Sequence, residues 1–180
     1  MRIVAGIWRG RTLKSPTWEG LRPTSDRLRE TLFNILGPSI DGARVLDGYA
    51  GTGAIGIEAL SRGAAQVTFV ENDARAVKLI EANLAALGAG GPAKPVIIRA
   101  GLAEAVSRLG RDAFDLIVVD PPYGAAAARE ALDAVHALAG AATRVVVEHA
   151  SRYPPPPECG GLKLTRTVTA GDSALSFYEH

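Results

Sequence analysis

Residues 47–56 read Asp-Gly-Tyr-Ala-Gly-Thr-Gly-Ala-Ile-Gly. Gly51, Gly53 and Gly56 satisfy G-x-G-x-x-G, a spacing that permits a tight strand-to-helix turn and close approach of a ligand to the backbone. Glu71 follows Gly51 by twenty residues, at the end of the next apolar run, where a carboxylate can take the two hydroxyls of a ribose. Spacing alone admits a dinucleotide. Asp47 changes the balance, because a carboxylate four residues before the first glycine would repel a pyrophosphate lying in the turn. A ligand carrying an ammonium or sulfonium group meets no such repulsion. The D-x-x-x-G-x-G pattern therefore fits S-adenosylmethionine better than NAD, with a turn-capping role for Asp47 as the plain structural alternative.

A second constellation, Asp120-Pro121-Pro122-Tyr123, closes the apolar run Phe114–Asp120. Two prolines are poor strand material, since neither donates a ladder hydrogen bond, so they mark a rigid turn at the end of a strand. An exocyclic amine on a nucleobase is a weak nucleophile because its lone pair is delocalised into the ring. The Asp120 carboxylate and the Pro121 carbonyl could hold its two N–H groups and turn the lone pair towards a methyl donor, which is catalysis by positioning. Tyr123 offers a flat face for an extruded base. No metal is required. The alternative is an ordinary loop with a buried tyrosine.

These residues need a scaffold that brings strand ends together. Apolar runs at Arg44–Asp47, Gln66–Glu71, Val96–Arg99, Phe114–Asp120 and Arg144–Glu148 read as buried parallel strands. Helical spacing falls between them at Ile55–Ser61, Ala74–Leu87, Ala103–Leu109 and Ala126–Leu138. Alternation of this kind predicts an α/β fold: a doubly wound, mostly parallel, Rossmann-like sheet, here of seven strands. Leu162–Val168 and Ala174–Tyr178, around Ala170-Gly171-Asp172, predict a closing antiparallel hairpin. The tetraproline Pro154–Pro157 before it reads as a stiff linker. Ahead of the core, Arg2–Ala5 and Arg9–Leu13 suggest a short β-hairpin. A helix follows with Thr24 as N-cap and Gly37-Pro38 as its stop. Residues 1–40 are thus an extension and 41–180 a catalytic domain.

At 180 residues, 47% hydrophobic and 22% charged, the chain has the composition of a globular domain, and neither disorder nor a collagen-like repeat fits. One cysteine, Cys159, excludes an internal disulfide and a multi-cysteine zinc site. His136, His149 and His180 lack metal-site spacing. His149 beside Glu148 reads as a packing pair. No apolar run approaches the ~18 residues of a membrane span, and Arg9 interrupts the first apolar stretch too early for a signal peptide, so the expected address is the cytoplasm. Charge is unevenly spread. Residues 1–29 carry seven basic and two acidic side chains, a net of +5, while the remainder carries thirteen basic and seventeen acidic, a net of −4. A basic arm on a mildly acidic body suggests a polyanionic partner.

Taken together, MRIVAGIWRGRTLKSP, LRPTSDRLRETLFNIL, VLDGYAGTGAIGIEALSRGA, FVENDARAV, FDLIVVDPPYG, VVVEH and ALSFYEH resemble the RsmD family of 16S rRNA guanine-N2 methyltransferases, which have the class I S-adenosylmethionine-dependent fold. The resemblance covers nearly the whole chain. It implies methyl transfer from S-adenosylmethionine, leaving S-adenosylhomocysteine, to the exocyclic N2 of one guanine in 16S rRNA, bare or within a small-subunit particle, by a monomer with no metal. By matching motifs, Asp47, Ala50, Gly51, Gly53, Glu71 and Asn72 would hold the cofactor, and Asp120, Pro121 and Tyr123 the base. Arg11, Lys14, Arg22 and Arg27 would face RNA. Two departures stand out. Gly48-Tyr49 replaces the family's usual leucine-phenylalanine pair. The segment Arg99-Ala100-Gly101-Leu102-Ala103 lacks the usual acid near the adenine amine, which leaves backbone groups or Glu104 for that contact.

Competing readings remain. An adenine-N6 methyltransferase acting on DNA or RNA would share the cofactor turn and D-P-P-Y, but such enzymes generally need an added target-recognition region, and only about 40 residues precede the core here. A cytosine-C5 enzyme needs a nucleophilic cysteine, and Cys159 stands in a proline-rich linker far from a strand end. A non-catalytic or oxidoreductase nucleotide binder would rest on the glycine pattern alone.

Overall fold

The computed structural model describes residues 1–18, 26–89, 95–111, 113–122, 124 and 126–180. The expected Thr24 cap lies outside them. The chain divides into two compact units, Met1–Ala100 and Gly101–His180.

In the first unit, helix α1 (Asp26–Leu36) precedes strand β1 (Arg44–Gly48), helix α2 (Ala54–Ser61), strand β2 (Gln66–Glu71), helix α3 (Ala74–Leu87) and strand β3 (Val96–Arg99). The strands are parallel in the order β3-β2-β1, with Val45 opposite Val67 and Phe69 opposite Ile97. Their core is aliphatic and aromatic: Val45, Leu46, Val67 and Phe69 have no solvent exposure. Apolar residues on both faces are what helices on both sides of a parallel strand demand. Strand β3 is less covered than its sequence suggests, since Val96 is 39% exposed on this edge. Helix α3 begins at Asp73, whose carboxylate accepts from the Arg75 backbone N–H, and ends at Gly88 in the left-handed conformation that a side chain would oppose.

The N-terminal hairpin forms, but not as two strands. One antiparallel bridge, Arg2–Thr12, is flanked by Ile3 N–H to the Arg11 carbonyl and Leu13 N–H to the Met1 carbonyl. The reason is that this arm spends its other backbone groups on helices. Val4 and Ala5 donate their N–H groups to the two oxygens of Glu58 on α2, at 2.8 and 2.9 Å. Ile7 N–H bonds the Ser61 carbonyl, and Trp8 N–H bonds the Ser61 hydroxyl. Gly6 takes φ +85° and sits so close to the Ser61 backbone that a Cβ there would overlap it.

The second unit holds helix α4 (Leu102–Val106), strand β4 (Leu116–Val119), helix α5 (Ala127–Val135) and strands β5 (Arg144–Ala150), β6 (Glu158–Cys159), β7 (Leu162–Ala170) and β8 (Ser173–Glu179). Their order is β4-β5-β8-β7-β6, parallel between β4 and β5 and antiparallel thereafter. The described residues therefore contain eight strands rather than seven. The extra one is β6, two residues long, too short to show a sequence period. It places Cys159 on an edge strand opposite Leu162, not in a linker. The tetraproline is tied to the sheet as well: the Pro156 carbonyl accepts from the Tyr178 hydroxyl at 2.8 Å, and the Pro157 carbonyl from Leu164 N–H. Burial pushes the Tyr178 phenol up to about 12. The Cys159 thiol is pushed to about 11 by burial and by donating to Asp133, the reverse of what activates a nucleophile.

His149 is 3% exposed, with Nε2 2.9 Å from the Ser176 hydroxyl and Nδ1 2.9 Å from the Ala150 carbonyl. Burial lowers its pKa, against the pull of the carbonyls it faces. The unfolded chain, with an ordinary value of about 6.5, then binds the proton first. Stability from this site is full above about pH 6.5 and declines as pH drops below it. The melting temperature should accordingly fall between pH 7.5 and 5.5 more steeply in the wild type than in His149→Gln.

Candidate active-site residues in the two units

The glycine turn follows directly from β1. Gly51 and Gly53 adopt φ of +55° and +75°, and Tyr49 also lies in the left-handed region at +61°, which a bulky side chain enters only under constraint. That constraint is visible around it. Ala50 N–H bonds the Val70 carbonyl at 3.0 Å, Gly51 N–H bonds Glu71 Oε2 at 2.8 Å, and Gly53 N–H returns to the Ala50 carbonyl at 2.7 Å. Glu71 is 8% exposed and uses its other oxygen, Oε1, to accept from Asp73 N–H at 2.8 Å. One carboxylate thus organises two loops. Each of its oxygens has accepted one of these bonds and has a second lone pair, so the two hydroxyls of a ribose could donate to this carboxylate without displacing either amide.

Asp47 is 2% exposed, and its Oδ2 accepts from Gly56 N–H at 2.8 Å inside the first turns of α2. The helix itself starts at Gly53 without a side-chain cap. A negative group at a helix start is stabilised by the unpaired amides and the helix dipole. Gly56 is required for another reason: a Cβ there would stand 2.3 Å from Phe69 Cε1 and 2.8 Å from Val67 Cγ1. The third glycine lets α2 lie against β2. Gly56→Ala should cost about 1–3 kcal/mol by overpacking, read as a lower urea midpoint with an unchanged slope.

Asn72 is exposed beyond β2. Beside it, the Arg75 guanidinium holds the Asp73 carboxyl at about 2 through a 2.7 Å ion pair, and Arg75 also lies 5.1 Å from the centre of the Trp18 ring. Among the predicted RNA-facing residues, Arg11, Lys14 and Arg27 are exposed. Arg11 already gives one donor to the Ala86 carbonyl in the last turn of α3, and Lys14 has its backbone N–H bonded to Asn83. Arg22 lies outside the described residues.

In the second unit, the four residues of β4 are buried and lead straight into Asp120, half-buried, and Pro121, buried. Tyr123 lies outside the described residues. Glu104, a candidate for the adenine contact, is exposed on α4 and paired with Arg108. Among the described residues no three His, Cys, Asp or Glu side chains form a metal-binding group, and no helix is long and apolar enough to cross a membrane.

Three buried polar side chains lie outside the predicted site but support the arm and the turn. Glu58 has no exposure, accepts the two arm amides and pairs with Arg62 at 2.8 Å. Arg29 on α1 is 1% exposed, bonded to the Arg2 carbonyl and to Asp26, and 3.6 Å from Glu58. Asn83 on α3 is also 1% exposed. A signal was present: AIGIEALS carries one charge in an otherwise apolar helix, and Asn83 falls on the stripe of Ala76, Ile80, Leu84 and Leu87. A polar residue on an apolar stripe needs buried partners.

Comparison with known proteins bears on both units. The family model described as "Conserved hypothetical protein 95" matches residues 1–179. Ribosomal RNA small subunit methyltransferase D of Haemophilus influenzae is 44% identical over 123 residues, which is 68% of this chain and 64% of that protein. The matched segment thus spans less than two thirds of that relative's length. The Bacillus subtilis protein YlbH is 33% identical over 181 aligned residues, covering 99% of this chain and 98% of its own. The solved structure of yhhF from Escherichia coli superposes with a TM-score of 0.86 at 35% identity, covering 100% of this chain and 97% of that one. The α/β class read from the alternation of strands and helices is therefore the one present. The chain belongs to the RsmD family.

Proposed function

We propose that this protein transfers a methyl group from S-adenosylmethionine to the exocyclic N2 of one guanine in 16S rRNA. The observation that carries the reading is Asp120-Pro121 emerging from a strand buried along its whole length, in a chain whose relatives include a ribosomal RNA small subunit methyltransferase. A fixed strand end gives two acceptors the rigidity that positioning catalysis needs.

Asp47, Ala50, Gly51, Gly53, Glu71 and Asn72 would hold the cofactor: Glu71 by its remaining lone pairs on the ribose, Asp47 by its negative charge near the methionyl end, and the uncapped start of α2 by its amides on the carboxylate. When bound, S-adenosylmethionine supplies an electrophilic methyl on sulfonium and leaves as S-adenosylhomocysteine. The Asp120 carboxylate and the Pro121 carbonyl accept hydrogen bonds from the two guanine N2–H groups and turn the nitrogen lone pair out of conjugation; as the N–C bond replaces the S–C bond the nitrogen becomes cationic, and one of its protons is then lost to solvent. The Tyr123 ring stacks on the base. Residues 1–40 meet RNA and 41–180 carry the chemistry, with Arg11, Lys14, Arg22 and Arg27 neutralising phosphates; Arg11 keeps four N–H donors beyond the one given to Ala86.

The direct test is transfer of tritiated methyl to 16S rRNA, bare and in the small-subunit particle, followed by digestion to nucleosides. N2-methylguanosine at one position is expected. Label in N6-methyladenosine, or only in DNA, would overturn the reading. For the cofactor half, Glu71→Ala should weaken S-adenosylhomocysteine binding by about 1.5–3 kcal/mol through loss of a charged acceptor. Calorimetry that finds wild-type affinity would remove Glu71 from the site.

A further inference from the structure

The arm and the glycine turn share one side chain. Asn83, buried on α3, accepts the Lys14 N–H on Oδ1 at 2.8 Å, and its Nδ2 lies 3.3 Å from both the Lys14 carbonyl and the Thr52 carbonyl. Thr52 is the residue between Gly51 and Gly53. A single amide, fixed in a helix and 1% exposed, therefore holds the arm through its oxygen and its nitrogen, and the turn through that same nitrogen. Two further contacts run the same way. The Thr52 hydroxyl is 3.9 Å from the Met1 sulfur, and Trp18 packs on Arg75, which pairs with Asp73, whose N–H is held by Glu71. The arm thus reaches the cradle at the turn and at the ribose carboxylate.

We infer that Asn83 is a positioning residue that makes RNA binding and cofactor binding reinforce one another. The inference rests on the functional reading above. RNA that immobilises the arm fixes Lys14, and through the Asn83 amide it restrains Thr52, so the turn has less freedom left to lose when the cofactor binds. Coupling of this kind needs no change of fold and is reciprocal: each ligand must raise affinity for the other by the same factor. Asn83 is suited to the task because an amide offers both donors and acceptors. A carboxylate at the same place could still accept from Lys14 but would face the Thr52 and Lys14 carbonyls with no hydrogen to give them.

The test is a binding cycle by calorimetry, with S-adenosylhomocysteine titrated into the protein alone and into its complex with bare 16S rRNA. In the wild type the RNA should tighten S-adenosylhomocysteine by on the order of 5–20-fold. Asn83→Asp should bind each ligand alone within about threefold of wild type while the enhancement falls to about one, an outcome that mere loss of packing would not produce. Wild-type protein that binds both ligands independently overturns the inference and leaves the proposed function standing. Coupling that survives in Asn83→Asp overturns the role of Asn83. Failure of the wild type to bind S-adenosylhomocysteine, or to bind 16S rRNA either bare or in the small-subunit particle, overturns the functional reading and the inference with it. Should Asn83→Asp not fold, amide exchange in the unaltered chain decides: S-adenosylhomocysteine alone should slow exchange at the Lys14 N–H several-fold, and unchanged exchange there rejects the link.

Discussion

Asp120→Ala should lose turnover by on the order of 10²–10³-fold while its affinity for S-adenosylhomocysteine stays within about twofold of wild type. The split follows from where the carboxylate acts. Its proposed partner is the amine of the base, and the contact strengthens as the nitrogen takes on positive charge, so it contributes in the transition state more than in either bound ground state. The proposed cofactor residues Asp47 and Glu71 belong to other strands and are untouched. Asp120→Asn, which keeps a neutral acceptor, should fall between wild type and alanine. Single-turnover kinetics with saturating RNA separates the chemical step from binding. An alanine variant with wild-type kcat would remove Asp120 from the chemistry.

Glu58→Ala should destabilise the fold by about 3–5 kcal/mol, the range expected when one partner of a buried charge pair is removed. For a chain of this size that is roughly 10 °C in melting temperature. The loss is large because four groups converge on this carboxylate: the Val4 and Ala5 amides, Arg62, and Arg29. Arg29 has Nε and Nη1 without hydrogen-bond partners among the described residues, so its charge depends on Glu58 at 3.6 Å and on Asp26. Without the carboxylate a guanidinium that is 1% exposed remains in the core. Glu58→Gln should cost less, since one side-chain oxygen still accepts an arm amide. Chemical denaturation measures both, and a variant within 1 kcal/mol of wild type would show that the arm docks without this hub.

The parallel strands were legible because runs such as LIVV and VTFV have few alternatives once helices are seen between them. The turn was legible because glycine at positive φ leaves a spacing in the sequence. What escaped was long-range. Arg29 pairs with Asp26 one turn back, yet its buried environment is also made by Glu58 and by the arm's own carbonyl at Arg2. The arm read as two strands, Arg2–Ala5 and Arg9–Leu13, because Gly6 and Gly10 look like turn residues. Its amides instead found carboxylate and hydroxyl acceptors on α2, which offer charge-assisted bonds that a two-stranded ribbon cannot match. Asp47 and Glu71 were singled out by position for a ligand, and their bonds to Gly56 and Gly51 show them shaping the turn itself.

The placement of β8 has a consequence for biosynthesis. This strand lies between β5 and β7, pairing Val146 with Phe177 on one side and Val168 with Leu175 on the other. Both neighbours precede it in the chain, so while the polypeptide is being made β5 has one flank unpaired until residues 173–179 emerge. Strands β1, β2 and β3 meet no such delay, since every partner within their unit has been synthesised by Arg99. The nascent first unit can therefore close while the second still exposes the apolar flank of β5, and it is that flank a chaperone or an aggregating neighbour would find.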